Sequence, residues 1–227
     1  MPKTDPSKRA TLRTDFHTHT IYSRDSLTTP ARLIAAARRK GIDRVVVSDH
    51  NNIQGALRAK ELDPERIIVG EEIKTSAGEI LAVYVRQEIP PGLTPKETIA
   101  RLKDQGAFIS ISHPFDRTRK GAWRTADLLA ILADIDAIET FNARCLWPRP
   151  NWQAEAFART HQLPGTHGSD AHATFEIGRG SLLVPYYEDA ASLRLSIQKA
   201  VSPRLTLSAP WVHLTSRYAV WVKKRKS

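Results

Sequence analysis

The chain has 227 residues, enough for one barrel-sized domain with a sizeable core, and one domain is simpler than two. No apolar run nears the roughly 20 residues of a membrane helix. The stretch Met1 to Arg13 is too polar for a secretory leader, and a lone Cys145 can form no internal disulfide, so a cytoplasmic protein with Cys145 as a small buried residue is expected. Lys plus Arg number 34 against 24 Asp plus Glu, a formal charge of +10 that favours phosphorylated small molecules, nucleotides or nucleic acid as partners.

From residue 13 onward the chain repeats one rhythm: a short β-branched run, a polar cluster, then an amphipathic stretch closed by Gly or Pro. Strands are predicted over 13–17, 44–48, 66–70, 80–85, 107–112, 137–141, 165–169 and 180–185. Between them, 30–40 reads as a helix with Thr29 as N-cap, Pro30 at its first position, Leu33, Ile34 and Ala37 on one face, and Gly41 as its stop. Thr94 opens another, with Pro95 in the first turn and Glu97 as capping-box partner, ending at Gly106. Further helices are predicted over 125–133, 152–161 and 190–201. Such alternation argues for parallel strands with crossover helices, hence an α/β barrel or a doubly wound sheet. Residues 202–227 show no helical period and are expected to pack on the barrel before the basic tail, Lys223 to Lys226, frays. The organisation is a polar arm over 1–12, a barrel over 13–201 and an extension over 202–227.

The chemistry collects where predicted strands end, the rim at which the loops of a parallel barrel converge. His17 and His19 end the first strand, Asp49 and His50 the second, Glu71 and Glu72 the third, His113 the fifth, Glu139 and Asn142 the sixth, and Asp170 and His172 follow the seventh. Glu79 starts a strand, but only a short loop separates it from Glu72, and in a hairpin the two lie side by side. Imidazoles and carboxylates without thiolates suit divalent ions such as Mn, Fe(II) or Zn. His-x-His alone is weak evidence; the joint pattern carries the argument.

Taken together, Asp15-Phe16-His17-Thr18-His19 with Ser23-Arg24-Asp25, Ser48-Asp49-His50, Gly70-Glu71-Glu72, Ser112-His113-Pro114 and Gly168-Ser169-Asp170-Ala171-His172 resemble the PHP family of polymerase and histidinol phosphatase domains. The resemblance implies a distorted (β/α)7 barrel whose rim holds two or three divalent metals. By the same resemblance, His17, His19, Glu72 and Asp170 hold one ion, Glu72, Glu79 and His113 a second, and Asp25, His50 and His172 a third, with Glu72, His113 and Asp170 nearest the catalytic step. The chain departs from the family at Glu79, where histidine is commoner, which tilts that site toward Mn or Fe(II). It departs again at Ser23-Arg24-Asp25-Ser26, where the family has Ser-Asp-Gly.

The expected activity is hydrolysis of a phosphate ester of a small molecule or nucleotide by a hydroxide shared between two metals. Arg117, Arg144, Arg179 and Asn142 follow rim motifs and are expected to touch the substrate phosphate. Asp49 is read as orienting a histidine or its loop, and His167 as structural. Competing readings are a nuclease, favoured by the basic charge, and a non-catalytic, metal-stabilised binding domain.

Overall fold

The computed structural model describes residues 10–119 and 121–225. The arm up to residue 9, Lys120 and the last two residues, Lys226 among them, lie outside it. Eight strands form one sheet in the order β7-β6-β5-β4-β3-β2-β1-β8. They are β1 (Thr11–Thr18), β2 (Arg44–Val47), β3 (Ile67–Lys74), β4 (Glu79–Val83), β5 (Phe108–Ile111), β6 (Ala137–Asn142), β7 (Gly165–Gly168) and β8 (Leu182–Pro185). Neighbours among β1, β2 and β3, and among β5, β6 and β7, pair in parallel; β4 is antiparallel to both β3 and β5.

The sheet closes at one end only. The first half of β1 pairs with β8, Thr11 facing Pro185 and Thr14 facing Leu182. Beyond that, the end of β1 turns to the chain after β7: Asp170 N–H donates to His17 O at 2.7 Å and His19 N–H to Ala171 O at 2.9 Å. Seven strands thus form a distorted barrel, with β8 wedged into its seam away from the polar rim. Leu12, Phe16, Val46, Ile68, Val83, Phe108 and Ala137 share one buried cluster, one or two from each of the first six strands, that fills the interior. A second cluster joins α1 (Pro30–Arg39) and α2 (Gln54–Leu62) to the outer faces of β2 and β3. A third packs α3 (Pro95–Asp104), α4 (Thr125–Leu129) and α5 (Arg149–Thr160) over β4, β5 and β6.

The N-caps behave as the residue types require: Thr29 accepts from Arg32 N–H, and Thr94 and Glu97 form a capping box. Three expectations change. The 125–133 helix breaks into α4 and a 3₁₀ turn (Leu132–Asp134), and the 190–201 helix into α6 (Ala190–Ser196) and a 3₁₀ turn (Ile197–Lys199). α2 was not anticipated, having no capping side chain at Ile53. The extension is not without helix: α7 spans Val212–Lys224. Its buried side offers only Val212 and Ala219, while Trp211, Leu214, Tyr218 and Trp221 are exposed, so the apolar pattern that betrays a helix from sequence is spread around it. No helix among the described residues is long and apolar enough to cross a membrane.

Candidate metal centre

Two extra residues in the sheet aim the side chains. Asp15 faces Val45 and Thr18 faces Val47, so β1 fits one residue more than β2 into this interval. That bulge breaks the strict alternation of the strand where Phe16 joins the core and its neighbour His17 meets the polar cluster. On β6, Glu139 faces Thr166 and Phe141 faces His167, a second bulge. It brings Glu139 and Asn142 to one side, where Asn142 Nδ2 donates to Glu139 Oε2 at 3.0 Å. Gly168 is required beside them, since a Cβ there would lie 2.3 Å from His17 Cβ.

At the centre lies the Glu72 carboxylate, 1% exposed. Its Oε2 is 3.3 Å from His17 Nε2, 3.4 Å from His19 Nε2 and 2.9 Å from His50 Nδ1. Its Oε1 is 3.0 Å from His113 Nε2 and accepts from Ser112 Oγ. The β3–β4 hairpin brings Glu79 alongside, its register pairing Lys74 with Glu79, and Glu79 Oε2 lies 3.6 Å from His113 Nε2. Asp170 Oδ1 is 3.3 Å from His19 Nε2 and 3.4 Å from His172 Nδ1. Asp25 Oδ2 stands 3.2 Å from His172 Nε2 and 3.6 Å from His50 Nε2, so the altered spacing of its motif still delivers a carboxylate there. Among the described residues, three sets of donor atoms are compact enough for an ion: His17, His19 and Glu72; Glu72, Glu79 and His113; and His19, His50 and His172.

These residues fit divalent cations. Among the described residues, Glu72 Oε2 is buried without a hydrogen-bond donor although three imidazole nitrogens face it, and Asp25 Oδ1 likewise has none. Burial opposes charge on His17, yet Glu72, Glu139 and Asp170 hold its pKa well above the ordinary histidine value. Carboxylates this close call for positive charge among the imidazoles, the place a metal takes. Burial and the charges of His172 and His50 push His19 down to about 3, leaving a neutral ring with a free lone pair.

A second layer of contacts orients the donors. Glu139 was seen from sequence only as a strand-end residue. Its Oε1 lies 3.0 Å from His17 Nδ1, and its Oε2 accepts from His113 N–H at 2.8 Å. Asp15 stitches the first motif to the last, accepting from Ser169 N–H at 2.9 Å and Gly178 N–H at 2.8 Å. Asp49 accepts from the backbone and hydroxyls of Thr20 and Ser23, and Ser23 Oγ in turn contacts His19 Nδ1 at 3.2 Å; it orients the loop, as its position suggested. His113 and Asp170 adopt φ of 24° and 51°, left-handed backbone that non-glycine residues adopt at a cost.

The four residues expected to touch a phosphate stand in different surroundings. Arg117 is exposed and lines a separate depression with Trp147 and Arg149. Arg179 reaches away, to Leu207 O, and does not line the cleft. Arg144 lines it but is 3% exposed, its Nε 3.3 Å from Glu176 Oε2 and its Nη2 on Val212 O and Ser216 Oγ. Asn142 is buried and donates to Asp170 Oδ2 at 3.1 Å, which makes it a support for Asp170. The arginine that reaches the cluster is Arg119, missed from sequence: it pairs with Asp170 Oδ2 and, at 3.1 Å, with Asp116 Oδ2. Arg119 lies on the same loop after β5 as Arg117, two residues on. Cys145 is buried, as expected, and its thiol is pushed up by that burial.

The family models agree with this geometry. A PHP domain matches residues 15–106 and a PHP-associated region 148–199. The uncharacterized protein MJ1587 of Methanocaldococcus jannaschii is 36% identical over 146 residues, 58% of this chain and 82% of its own. Among solved structures, PsfC from Pseudomonas syringae is similar with a TM-score of 0.69 at 20% identity, over 94% of this chain and 100% of its own. A two-domain protein from Bacteroides vulgatus, containing a predicted PHP-like metal-dependent phosphoesterase, gives 0.66 at 20% identity over 92% and 70%. At that identity the likeness speaks for the fold alone, but the sequence matches do more: the chain belongs to the PHP family.

Proposed function

We propose that the rim cluster holds two or three divalent ions and that the protein hydrolyses a phosphate ester of a small molecule or nucleotide. The carrying observation is Glu72, one buried carboxylate with an oxygen toward each of two imidazole groups, the arrangement of a bridging ligand. His17, His19, Glu72 and Asp170 would hold one ion, Glu72, Glu79 and His113 the second, and Asp25, His50 and His172 the third. Glu79 adds oxygen character to the second, which favours Mn or Fe(II) over Zn.

Bound metals supply an activated water and neutralise phosphate charge. The rest falls to this chain. Glu139 accepts from His17 Nδ1–H, which fixes the tautomer and leaves Nε2 facing the centre. Asn142 and Arg119 hold Asp170 between them, so its Oδ1 stays turned to His19. Arg119 also lines the cleft, where its planar fork suits a phosphoryl oxygen. Assays of Mn-loaded protein with a mononucleotide, a sugar phosphate and short single-stranded RNA test the reading. Turnover of the small esters is expected; turnover confined to RNA would make it a nuclease, and none at all, with metal bound, would leave a binding domain.

A further inference from the structure

α7 crosses the cleft onto which the candidate metal ligands open and is fastened there near both ends. Arg144 Nη2 donates to Val212 O and Ser216 Oγ, each at 3.0 Å, and Lys223 Nζ donates to the carbonyls of Ile21 and Ser23. The segment leading into α7 is tied as well, Ser208 N–H donating to Ala143 O at 2.6 Å. His213, Leu214, Ser216 and Arg217 therefore line, on a fixed helix, the same cleft of about 580 Å³ as His113 and Asp170.

Three arginines line it among the described residues. Arg119 is engaged by Asp170 and Asp116, and Arg144 faces Glu176 from a nearly sealed position. Arg217 differs: it is exposed, and no hydrogen bond or ion pair engages its guanidinium among the described residues. α7 carries no Asp or Glu that could compete for it. On the proposed function the phosphate to be cleaved is met by metal ions and Arg119, so an uncommitted guanidinium on the α7 side of the cleft serves a different charge. Beside it Leu214, 61% exposed, offers an apolar surface to whatever joins the two charges.

Resting on the phosphoesterase reading, we infer that Arg217 recognises a second anionic group of the substrate, apart from the phosphate that is cleaved. A carboxylate, a second phosphate monoester and a neighbouring phosphodiester share that chemistry, and substrate pairs separate them. Glycerol 3-phosphate is the parent with one anionic group; 3-phosphoglycerate adds a carboxylate, glycerol 2,3-bisphosphate a second monoester, and a 5′-phosphorylated dinucleotide a phosphodiester. The protein should prefer at least one of the three over the parent. R217A should cut kcat/KM for that compound roughly ten- to a hundredfold, mainly through KM, with a smaller loss on the parent and partial rescue in R217K. Equal losses on all four compounds, or no preference in the unaltered protein, overturn the inference. If nothing is hydrolysed, the phosphoesterase reading falls by itself. Calorimetric titration of Mn-loaded protein with the same compounds then judges Arg217, and equal affinities for unaltered protein and R217A overturn its role.

Discussion

On one wall of the cleft, His17, His19, Glu72, His113 and Asp170 are each at most 4% exposed and touch one another or a second layer of buried partners. On the other, α7 presents exposed Arg217 and Leu214, and only Val212 and Ala219 of that helix are buried. The first wall is made by strand ends whose backbone the barrel fixes; the second is laid across it and held by a few hydrogen bonds. Metal chemistry and substrate choice should therefore fail separately, since damage to one wall leaves the other standing.

The largest effect should come from the first wall. H17A or D170N should lower activity by more than about a hundredfold and reduce bound metal, because on the proposed assignment the first removes a donor to the ion and the second leaves only a neutral amide oxygen there. Circular dichroism and elemental analysis of the purified variants check this. A folded variant with full metal and near-normal turnover would break the assignment. D170N is preferred to D170A because Arg119 would otherwise lose its buried partner.

Next is the joint between the walls. R144A strands the Glu176 carboxylate, whose pKa burial already raises, and removes the bonds to Val212 O and Ser216 Oγ. Breaking a buried pair costs about 3–5 kcal/mol. Urea unfolding should show that loss, and the R144M/E176Q double variant should recover part of it. A stable R144A with weakened phosphate binding would instead restore the clamp that sequence suggested.

These contrasts mirror what the sequence disclosed. The candidate metal donors are tied to short motifs at strand ends, so alternation of apolar runs and polar clusters located the rim, and the Glu72–Glu79 hairpin followed from loop length. The bulges on β1 and β6 left no such mark, since an extra residue in a ladder shows only against its partner strand; hence the tasks of Glu139 and Asn142 stayed hidden. Arg119 and Arg217 were hidden for another reason. Which arginine of a loop reaches inward depends on carboxylates brought from elsewhere, here Asp170 and Asp116, and α7 lacks the one-sided pattern that announces a packed helix.

A finer test within the first wall concerns metal choice. Gly121 lies against Glu79: a Cβ there would fall 1.8 Å from Oε2 and 2.9 Å from Cγ, so G121A must push the carboxylate aside. E79H should raise the preference for Zn over Mn several-fold, and G121A should weaken the second ion without favouring either metal. Competition titrations read both. An unaltered Zn to Mn ratio in E79H would place Glu79 outside the coordination shell.

The smallest expected effect is at the far end of α7. From sequence alone Lys223 belonged to a fraying tail, yet its ammonium caps the carbonyls of Ile21 and Ser23 in the loop that carries Asp25. K223A removes two hydrogen bonds from a half-buried site, where each contributes on the order of 1 kcal/mol net. The barrel core is untouched, so the melting temperature should fall by only about 2–4 °C per kcal/mol. Exchange of amide hydrogens over residues 21–26 should quicken, and the third ion, near Asp25, His50 and His172, should bind more weakly while the first stays in place. If exchange in that loop is unchanged, α7 is held only at its N-terminal end, by Arg144 and the segment through Ser208, and the two walls are more independent than the structure draws them.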